Sequence, residues 1–404
     1  MNRLLEVRLG DRPIGTLALL PGDRSFFSFE EAYLHDPRRP ILSQSFLKPS
    51  GELIGATRVT QVKLPPFFSN LLPEGHLRRY LAERGGIKPE REFLLLELLG
   101  ADLPGAVRVS SMADSPPSSE RPEQAEAGSP TVRPYRFSLA GVQLKFSAIA
   151  EAAGGLTIPA DGIGGDWIIK LPSLTFPHVP ENEWAMLHLA GVVGIPVPEA
   201  RLTPLSQIAG LPDLGLLSGA RALAVRRFDR GPRGQRIHIE DLAQVYNLYP
   251  ADKYGKVSYA NIANMLWTLT GETGLTDFIR RLAFAILIGN GDPHLKNWSL
   301  IYPDTRTPAL APAYDLVATI PYIPDDRLAL TLGDTRDMRA ITLEHFQKLA
   351  KKAQAPSHLV LETVRNTVAA TLAGWHDHNR QYDLPDDMTE RIARHMRSVG
   401  LARG

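Results

Sequence analysis

Residues 286–300 read Ile-Leu-Ile-Gly-Asn-Gly-Asp-Pro-His-Leu-Lys-Asn-Trp-Ser-Leu, which is a polar loop between two apolar segments. The apolar residues that precede the loop recur at helical spacing, and Gly289 and Gly291 are typical of the residues that end a helix. The segment 298–302 that follows has the pattern of a β-strand. Polar groups between two buried elements are costly unless they have partners. We therefore expect the side chains of this loop to have specific partners.

Two residues of the loop have the spacing of a protein-kinase catalytic loop. Asp292 and Asn297 stand as Asp-x-x-x-x-Asn, in which the aspartate takes the proton of the substrate hydroxyl and the asparagine holds a metal. Phosphoryl transfer also needs a carboxylate for the Mg²⁺ that bridges the phosphates, placed on the next hairpin. Asp315, in Ala-Tyr-Asp-Leu, follows the strand candidates 298–302 and 309–313 at that distance. The two motifs together predict phosphoryl transfer, which neither predicts alone.

The composition is that of an ordinary globular protein. The chain has 404 residues, of which 44% are hydrophobic and 22% are charged, and this length favours two or three domains. The net charge of +1 gives no overall basic field for direct binding of nucleic acid. There are no cysteines, so disulfides and thiolate metal sites are excluded. No run approaches the roughly 18 apolar residues of a membrane span, and we expect a cytoplasmic protein without membrane contact.

The first part of the chain predicts a separate unit. Residues 1–110 combine strand-like alternation with amphipathic helices, which predicts a compact α+β subdomain. The expected strands are 5–9, 14–20 and one around Phe27 and Phe29, and the expected helices are 76–84 and 91–99. Residues 111–134 are rich in Ser, Pro and Glu and have almost nothing to bury. This composition predicts a flexible linker or an exposed loop.

Residues 135–230 predict the β-rich part of a small lobe that holds a nucleotide. Within them, residues 138–145 read Ser-Leu-Ala-Gly-Val-Gln-Leu-Lys, a turn of small residues between two strand candidates. The backbone N–H groups of this turn, together with Lys145, are suited to cradle phosphates. The motif is not one of the standard phosphate-binding loops, so an ordinary hairpin is the alternative.

A strand over 167–170 ends in a single lysine, Lys170. This is the position of the kinase lysine that pairs with the α- and β-phosphates, whereas a lysine that points to solvent is the alternative. The helix predicted over 182–193 begins next to Glu181 and Glu183. Either glutamate is a candidate partner for Lys170, although acidic residues in a first turn also suit the helix dipole.

The strand 222–230, followed by Gly-Pro, occupies the place of the last small-lobe strand, which leads into the hinge that receives adenine. Beyond it, residues 231–404 are predominantly helical in pattern, with strands expected only in 298–316. The predicted helices are 240–247, 258–270, 275–288, 342–353, 357–373 and 386–398. The predicted fold class is α+β. It is a two-lobed protein-kinase-like fold, with a β-rich N-terminal lobe, an added N-terminal subdomain and a mainly α-helical C-terminal lobe.

Several motifs occur in one order along the chain. They are Ser-x-x-Gly-x-Gln-x-Lys at 138–145, the strand ending in Lys170, Val-Arg-Arg-Phe-Asp-Arg at 225–230, Gly-Asn-Gly-Asp-x-His-x-Lys-Asn at 289–297 and Tyr-Asp-Leu at 314–316. This series resembles the HipA family of serine/threonine kinases, the toxins of bacterial toxin–antitoxin modules. Phe-Phe-Ser-Asn-Leu-Leu-Pro-Glu-Gly at 67–75 resembles the N-terminal subdomain of that family. The resemblance spans nearly the whole chain.

The resemblance implies roles for particular residues. The ATP-binding loop falls on Ala140, Gly141, Val142, Gln143, Leu144 and Lys145, the nucleotide lysine on Lys170, and the adenine hinge on Arg226, Arg227 and Phe228. Asp292 becomes the catalytic carboxylate, Asn297 and Asp315 hold Mg²⁺, and His294, Lys296 and Tyr314 continue the nucleotide site. Ser138 matches the serine that the family autophosphorylates. For His294, a purely structural loop histidine is the alternative.

The resemblance also implies partners and a biological role. A growth-arresting kinase of this type uses ATP and Mg²⁺ and is neutralised by a HipB-like helix-turn-helix antitoxin. DNA is then reached only through the antitoxin. The implied substrate is a cellular protein, for which an aminoacyl-tRNA synthetase is a guess based on the family. Two alternatives stay open, namely a small-molecule kinase of the same fold and a catalytically silent co-repressor subunit.

Overall fold

The computed structural model of the chain describes residues 3–112, 145–150, 155–158, 164–173, 175–211 and 219–403. Ser138 and residues 140–144 lie outside the described residues, so the expectations for the phosphate loop and the autophosphorylated serine stay predictions. The same holds for the linker predicted over 111–134, apart from its first two residues.

The N-terminal subdomain is built on a five-stranded antiparallel sheet, in the order β4-β3-β2-β1-β5. The strands are β1 (Arg3–Leu9), β2 (Arg12–Leu20), β3 (Arg24–Phe29), β4 (Thr60–Gln61) and β5 (Val107–Ser111), and the helices are α1 (Glu31–Leu34), α2 (Pro66–Asn70), α3 (Gly75–Arg84) and α4 (Glu92–Leu99). Alternate residues of β1 are buried, because one face of the sheet packs on the helices. Phe27, Phe67 and Phe68 are at most 1% exposed and form the centre of this core. The predicted strands and helices of this subdomain are confirmed.

The small lobe is a six-stranded sheet in the order β10-β7-β6-β8-β11-β9, crossed by one long helix. Its elements are β6 (Lys145–Ala150), β7 (Leu156–Thr157), β8 (Trp167–Lys170), α5 (Val179–Val192), β9 (Ala200–Pro204), β10 (Ile208–Ala209) and β11 (Arg221–Arg226). In the antiparallel pairing of β6 with β8, Lys145 lies directly opposite Lys170. Residues that are opposite each other in such a pair project from the same face of the sheet. The register therefore brings two lysines together.

The C-terminal lobe is mainly helical and carries a small three-stranded sheet in the order β12-β13-β14. Its elements are β12 (His238–Asp241), α6 (Leu242–Val245), α7 (Tyr259–Ile288), β13 (Ser299–Tyr302), β14 (Ala309–Leu310), α8 (Leu343–Ala353), α9 (Ser357–His378) and α10 (Asp386–Ser398). The largest hydrophobic core of this lobe packs α7 against α8 and α9. Within the described residues, no helix is both long and apolar enough to cross a membrane.

The helices predicted over 258–270 and 275–288 are confirmed as the two parts of α7, which are divided at Gly271 by a non-helical backbone with φ 63° and ψ −151°. Two other expectations for this lobe were wrong. The helix predicted over 240–247 is a short α6 preceded by β12, so strands are not confined to 298–316. The strand predicted over 309–313 is limited to two residues.

The C-terminus of α7 fixes where the polar loop begins. Gly289 has a φ of 71°, and the N–H of Asn290 donates to the carbonyl of Ala285 at 2.9 Å, which closes a glycine cap of the Schellman type. Gly291 lies so close to Asp326 that a Cβ on it would be 2.1 Å from a carboxylate oxygen. The two glycines therefore allow the chain to leave the helix sharply and to pass close to a neighbouring loop.

A buried carboxylate joins the N-terminal subdomain to the small sheet of the C-terminal lobe. Glu240 of β12 is fully buried and accepts hydrogen bonds from the Ser43 hydroxyl at 2.5 Å and from the Gln44 N–H at 3.1 Å. The Tyr302 hydroxyl of β13 also donates to it. Burial raises the pKa of Glu240 to about 7, although these donors act in the opposite direction. The two parts of the chain are thus joined by a desolvated polar contact.

Candidate active site

A cleft of about 270 Å³ lies between the six-stranded sheet, the chain that leaves β11, and the small sheet of the C-terminal lobe. Its apolar wall includes Ile168, Val225 and Ile239. Phe228 and Tyr314 also line it, with ring centroids 5.7 Å apart and planes inclined by 32°. The volume is close to the lower end of the range for small-molecule sites. The cleft thus offers an apolar and partly aromatic surface to a flat aromatic group.

Four charged side chains meet at one end of the cleft. The buried Lys170 ammonium of β8 contacts the Glu183 carboxylate of α5 and one oxygen of Asp315. Lys145 of β6 reaches both oxygens of Asp315 at 3.1 Å. The expectation that Glu181 or Glu183 pairs with Lys170 is confirmed for Glu183. Glu181 instead lies 3.0 Å from Arg221.

The charges in this cluster determine one another's protonation. Burial alone would raise the pKa of the Asp315 carboxyl, but Lys145 and Lys170 hold that pKa well below its ordinary value. Burial alone would lower the pKa of Lys170, whereas the Asp315 and Glu183 carboxylates raise it. Burial raises the pKa of Glu183, and Lys170 only partly opposes this. Asp315 is therefore anionic and Lys170 cationic at neutral pH.

Asn297 and Asp315 come together as the spacing predicts. Both line a small cavity of about 10 Å³, which has the size of a single water or ion. The Asn297 amide nitrogen donates to the backbone carbonyl of Asp292 at 3.0 Å, so the amide oxygen is the side-chain atom that remains for a cation. Asp315 has a positive φ of 54°, a conformation that aspartate tolerates better than most residues.

These oxygen donors fit Mg²⁺ but do not enclose it. Within the described residues, no group of three or more His, Cys, Asp or Glu side chains could hold a metal ion. Magnesium is commonly held by one or two protein oxygens together with substrate phosphates and water. Asn297 and Asp315 would supply the protein oxygens of such a site, and the ammonium groups of Lys145 and Lys170 contact Asp315 beside it.

Asp292 lies at the open side of the loop, with a side chain that is 50% exposed. One carboxylate oxygen accepts a hydrogen bond from the Tyr254 hydroxyl at 2.7 Å. The other is 3.9 Å from Nε2 of His294, which is beyond hydrogen-bonding distance. The buried carbonyl of Pro293 accepts hydrogen bonds from the Tyr259 hydroxyl and the Trp298 indole, at 3.1 and 3.2 Å. The loop backbone is thus anchored, while the carboxylate faces solvent.

His294 and Lys296 lie nearby but have different surroundings. His294 is 7% exposed, and burial lowers its pKa, so the imidazole is neutral at physiological pH. Lys296 lines the cleft, but its ammonium lies 3.0–3.3 Å from oxygens of Asn70, Glu74 and Asp241. Two of these residues belong to the N-terminal subdomain. In this arrangement Lys296 joins the loop at 289–297 to that subdomain.

The residues predicted to form the hinge, Arg226, Arg227 and Phe228, line the cleft beside a buried ionic network. Arg226 is exposed, whereas Arg227 is buried and pairs with Asp229 at 2.9 Å. Asp102, from the N-terminal subdomain, is only 5% exposed and lies within 3.5 Å of three guanidinium groups. They belong to Arg227, Arg230 and Arg236. The N-terminal subdomain therefore packs against the hinge through a desolvated carboxylate.

Several residues of the site were not singled out from the sequence. Tyr254, Asp102 and Asp241 have no motif of their own, and their partners are distant in the chain. Asn70 and Leu71 lie within the Phe-Phe-Ser-Asn-Leu-Leu-Pro-Glu-Gly segment, and both line the cleft. The signal that could have identified Asn70 was a buried asparagine in an otherwise apolar helix end, since such a group requires a partner.

Both parts of the chain match domains of known proteins. The HipA N-terminal domain matches residues 5–110, and the HipA-like C-terminal domain matches residues 137–375. The chain is 50% identical over 408 residues to the Sinorhizobium fredii protein "Putative kinase Y4dM", covering 99% of this chain and 98% of that protein. It is 28% identical over 396 residues to the serine/threonine-protein kinase toxin HipA of Shewanella oneidensis, covering 89% and 86% of the two chains.

A solved complex of Shewanella oneidensis HipA, HipB and operator DNA contains a chain of the same fold. That chain superposes with a TM-score of 0.72 at 22% identity, covering 98% of this chain and 96% of its own length. This likeness confirms the predicted fold class. The two domain matches and the 50% identity to a relative of nearly the same length show that the chain belongs to the HipA family of kinases.

Proposed function

We propose that the chain is an ATP- and Mg²⁺-dependent serine/threonine protein kinase, in which Asp292 accepts or orients the proton of the acceptor hydroxyl. The observation that carries this proposal is the convergence of Lys170, Glu183 and Asp315 beside Asn297. A lysine–glutamate pair, a metal carboxylate and a catalytic-loop asparagine are the parts that phosphoryl transfer requires.

Each part has a role that its surroundings support. Phe228 and Tyr314, together with the apolar wall, enclose the base. Arg226 and Arg227 form the hinge at the edge of the base. Lys170 and Lys145 bind the phosphates, the latter together with the preceding loop at Ala140, Gly141, Val142, Gln143 and Leu144. A magnesium ion held by Asn297 and Asp315 would neutralise charge on the phosphates. The loop beside this ion keeps its shape through the contacts of His294, Lys296 and Tyr314.

The exposure of Asp292 favours a protein acceptor. Its carboxylate is half exposed on the rim of the catalytic loop, where a segment of another protein or of this chain has access. A hydroxyl that reaches this carboxylate loses its proton as the oxygen attacks the γ-phosphorus, and ADP leaves. A small-molecule acceptor stays the second candidate, because an open rim does not exclude one.

We include Ser138 as the autophosphorylation site. Phosphorylation would add roughly −1.5 to −2 charges at a position only seven residues before Lys145 in the sequence. That charge would compete with the nucleotide phosphates, so phosphorylated protein is expected to bind ATP weakly. Mass spectrometry after incubation with Mg·ATP should find phosphate on Ser138 in the wild type and not in Asp292→Asn. An unmodified Ser138 peptide from an otherwise active kinase would contradict this role.

The biological role proposed here follows from the family. The Shewanella oneidensis relative is named as a toxin, and the solved complex contains HipB and operator DNA. We propose that this chain likewise arrests growth in the cytoplasm by phosphorylating a cellular protein, such as an aminoacyl-tRNA synthetase. A HipB-like helix-turn-helix antitoxin would neutralise it and connect it to DNA. Co-purification with the product of a neighbouring small reading frame, and restored growth on co-expression, would test this pairing.

The test of the activity uses radiolabelled ATP with purified protein and a cell lysate. Wild type should label protein bands, whereas Asp292→Asn should transfer phosphate about 10²- to 10⁴-fold more slowly while retaining nucleotide affinity. Asp377→Asn is a matched control, because this exposed aspartate lies in α9 outside the cleft. Near wild-type turnover of a folded Asp292→Asn protein would refute the assignment. Labelling of small molecules alone would favour the second candidate, and binding without transfer would favour a silent co-repressor.

A further inference from the structure

The catalytic carboxylate has a single side-chain partner within the described residues. Asp292 accepts a hydrogen bond from the Tyr254 hydroxyl at 2.7 Å, whereas His294 stays 3.9 Å away. Half of the Asp292 side chain is exposed, so little packing restrains its rotation. In the part of the chain that the structure describes, the direction of this carboxylate is therefore set mainly by one tyrosine.

Tyr254 is itself held on several sides, although it is 44% exposed. Its ring meets His294 edge to face at 5.1 Å, and the Lys253 ammonium lies 5.6 Å from its centroid. The carbonyl of Lys253 accepts a hydrogen bond from the N–H of Leu295 at 3.3 Å, and its ammonium pairs with Glu74 at 3.0 Å. The segment that carries Tyr254 is thus attached both to the catalytic loop and to the N-terminal subdomain.

The hydroxyl remains a donor under physiological conditions. Burial of the Tyr254 hydroxyl raises its pKa well above its ordinary value, and the Asp292 carboxylate raises it further. Burial lowers the pKa of the neighbouring His294 imidazole, which is therefore neutral. The carboxylate consequently lies between two uncharged groups, of which only the tyrosine is close enough to direct it.

We propose that Tyr254 is a positioning residue, which fixes the rotamer of the Asp292 carboxylate through its hydroxyl so that the second carboxylate oxygen faces the acceptor. This inference rests on the proposed kinase function and names a residue on which that function depends. Reacting groups must be held close to their productive geometry, and displacement by about 1 Å can cost on the order of 100-fold in rate. A hydroxyl that sits 2.7 Å from one oxygen leaves the other free for the substrate proton.

The test is steady-state kinetics of Tyr254→Phe, which keeps the ring against His294 and removes only the hydroxyl. We expect kcat to fall on the order of 10-fold, with KM for ATP and the midpoint of thermal unfolding unchanged. Tyr249→Phe is the matched control. It lies five residues earlier in the same segment, where Lys63 covers its ring at 5.0 Å, and within the described residues its hydroxyl makes no hydrogen bond to the catalytic loop.

A double-mutant cycle separates positioning from a structural effect. In an Asp292→Ala background, Tyr254→Phe should cause no further loss of rate, because the residue acts only through the carboxylate. An undiminished loss in that background, or a Tyr254→Phe enzyme with wild-type kcat, would overturn the inference. Phosphate on Tyr254 in mass spectra would also overturn it, since the tyrosine would then be an acceptor.

One readout does not depend on turnover. Amide hydrogen exchange over residues 290–297 should be faster in Tyr254→Phe than in wild type or Tyr249→Phe, because the loop loses the hydrogen bond between Tyr254 and Asp292. If wild type shows no phosphoryl transfer, the proposed function fails, and exchange alone then decides the role of Tyr254. Unchanged exchange would refute it.

Discussion

Replacement of Asp102 by asparagine should destabilise the protein strongly, although the residue lies outside the catalytic lobe. Its carboxylate is 5% exposed and lies 2.8 Å from Arg230, 3.3 Å from Arg236 and 3.5 Å from Arg227. The second carboxylate of the network, Asp229, already pairs with two of these guanidinium groups. Asp102→Asn preserves the shape of the side chain but leaves three guanidinium groups, whose side chains are only 6–14% exposed, with one anion.

The size of the effect follows from the cost of leaving a buried charge uncompensated. Removal of one partner of a buried ion pair typically destabilises a protein by about 3–5 kcal/mol. An unfolding entropy of about 2.1 cal/mol/K per residue corresponds to about 1.2 °C per kcal/mol for a chain of 404 residues that unfolds as one unit, so the midpoint of thermal unfolding should fall by roughly 4–6 °C. Because Arg227 belongs to the hinge beside the cleft, nucleotide affinity should fall as well.

The chain offers a matched control for this prediction. Asp11 pairs with Arg108 at 2.9 Å in the same subdomain, but its carboxylate is 96% exposed. Exposed pairs contribute little to stability, so Asp11→Asn should leave the unfolding midpoint unchanged. Differential scanning fluorimetry of the three proteins, with and without ATP, measures both effects. If Asp102→Asn were as stable as Asp11→Asn, burial of this network would not be what stabilises the contact between subdomain and hinge.

Three further predictions concern the charged groups of the site and of the interface between subdomain and lobe. Asp315→Ala should weaken Mg·ATP binding more than it lowers the unfolding midpoint, because it removes an oxygen ligand and separates Lys145 from its partner; equal affinities by calorimetry would contradict this. Glu183→Gln should lower kcat/KM on the order of 10-fold, since only Asp315 then directs the Lys170 ammonium; an unchanged value would show that the pair is dispensable. Burial raises the pKa of Glu240 to about 7 in the folded state. The contribution of Glu240 to the free energy of unfolding is therefore complete below about pH 4.5 and is lost as the pH rises through about 7. The total loss is roughly 3 kcal/mol. Glu240→Gln should therefore flatten the pH dependence of the unfolding midpoint across this window, and parallel curves for the two proteins would refute the assignment.

Sequence patterns predicted the elements whose burial follows a simple period. β1 alternates buried residues, and the apolar face of α7 repeats at helical spacing, so both could be recognised locally. β12 could not, because its buried positions hold His238 and Glu240, and this polarity conceals a period of two. The order of the motifs identified the family, and membership of that family implied the two-lobed fold.

The site was predictable as far as its residues are close in sequence. The loop spacing placed Asn297 and Asp315 together, and the two glutamates near the start of α5, Glu181 and Glu183, were the two candidate partners of Lys170. Residues two apart on a helix point in different directions, so only one of the two glutamates could face the lysine. The rotation of α5 about its axis is set by tertiary packing, and no local pattern gives it. Lys296 illustrates the same limit, because its partner Asn70 lies 226 residues earlier.

The buried contacts of the N-terminal subdomain bear on how this polypeptide can be divided. Asp102 balances the guanidinium groups at the hinge, Asn70 and Glu74 accept from Lys296, and Ser43 donates to Glu240. In a shortened protein that begins after residue 112, the guanidinium groups, the Lys296 ammonium and the Glu240 carboxylate would be exposed without these partners. The catalytic part is therefore expected to aggregate or to remain unfolded when it is expressed alone. Co-expression of the two fragments as separate chains should restore a soluble complex.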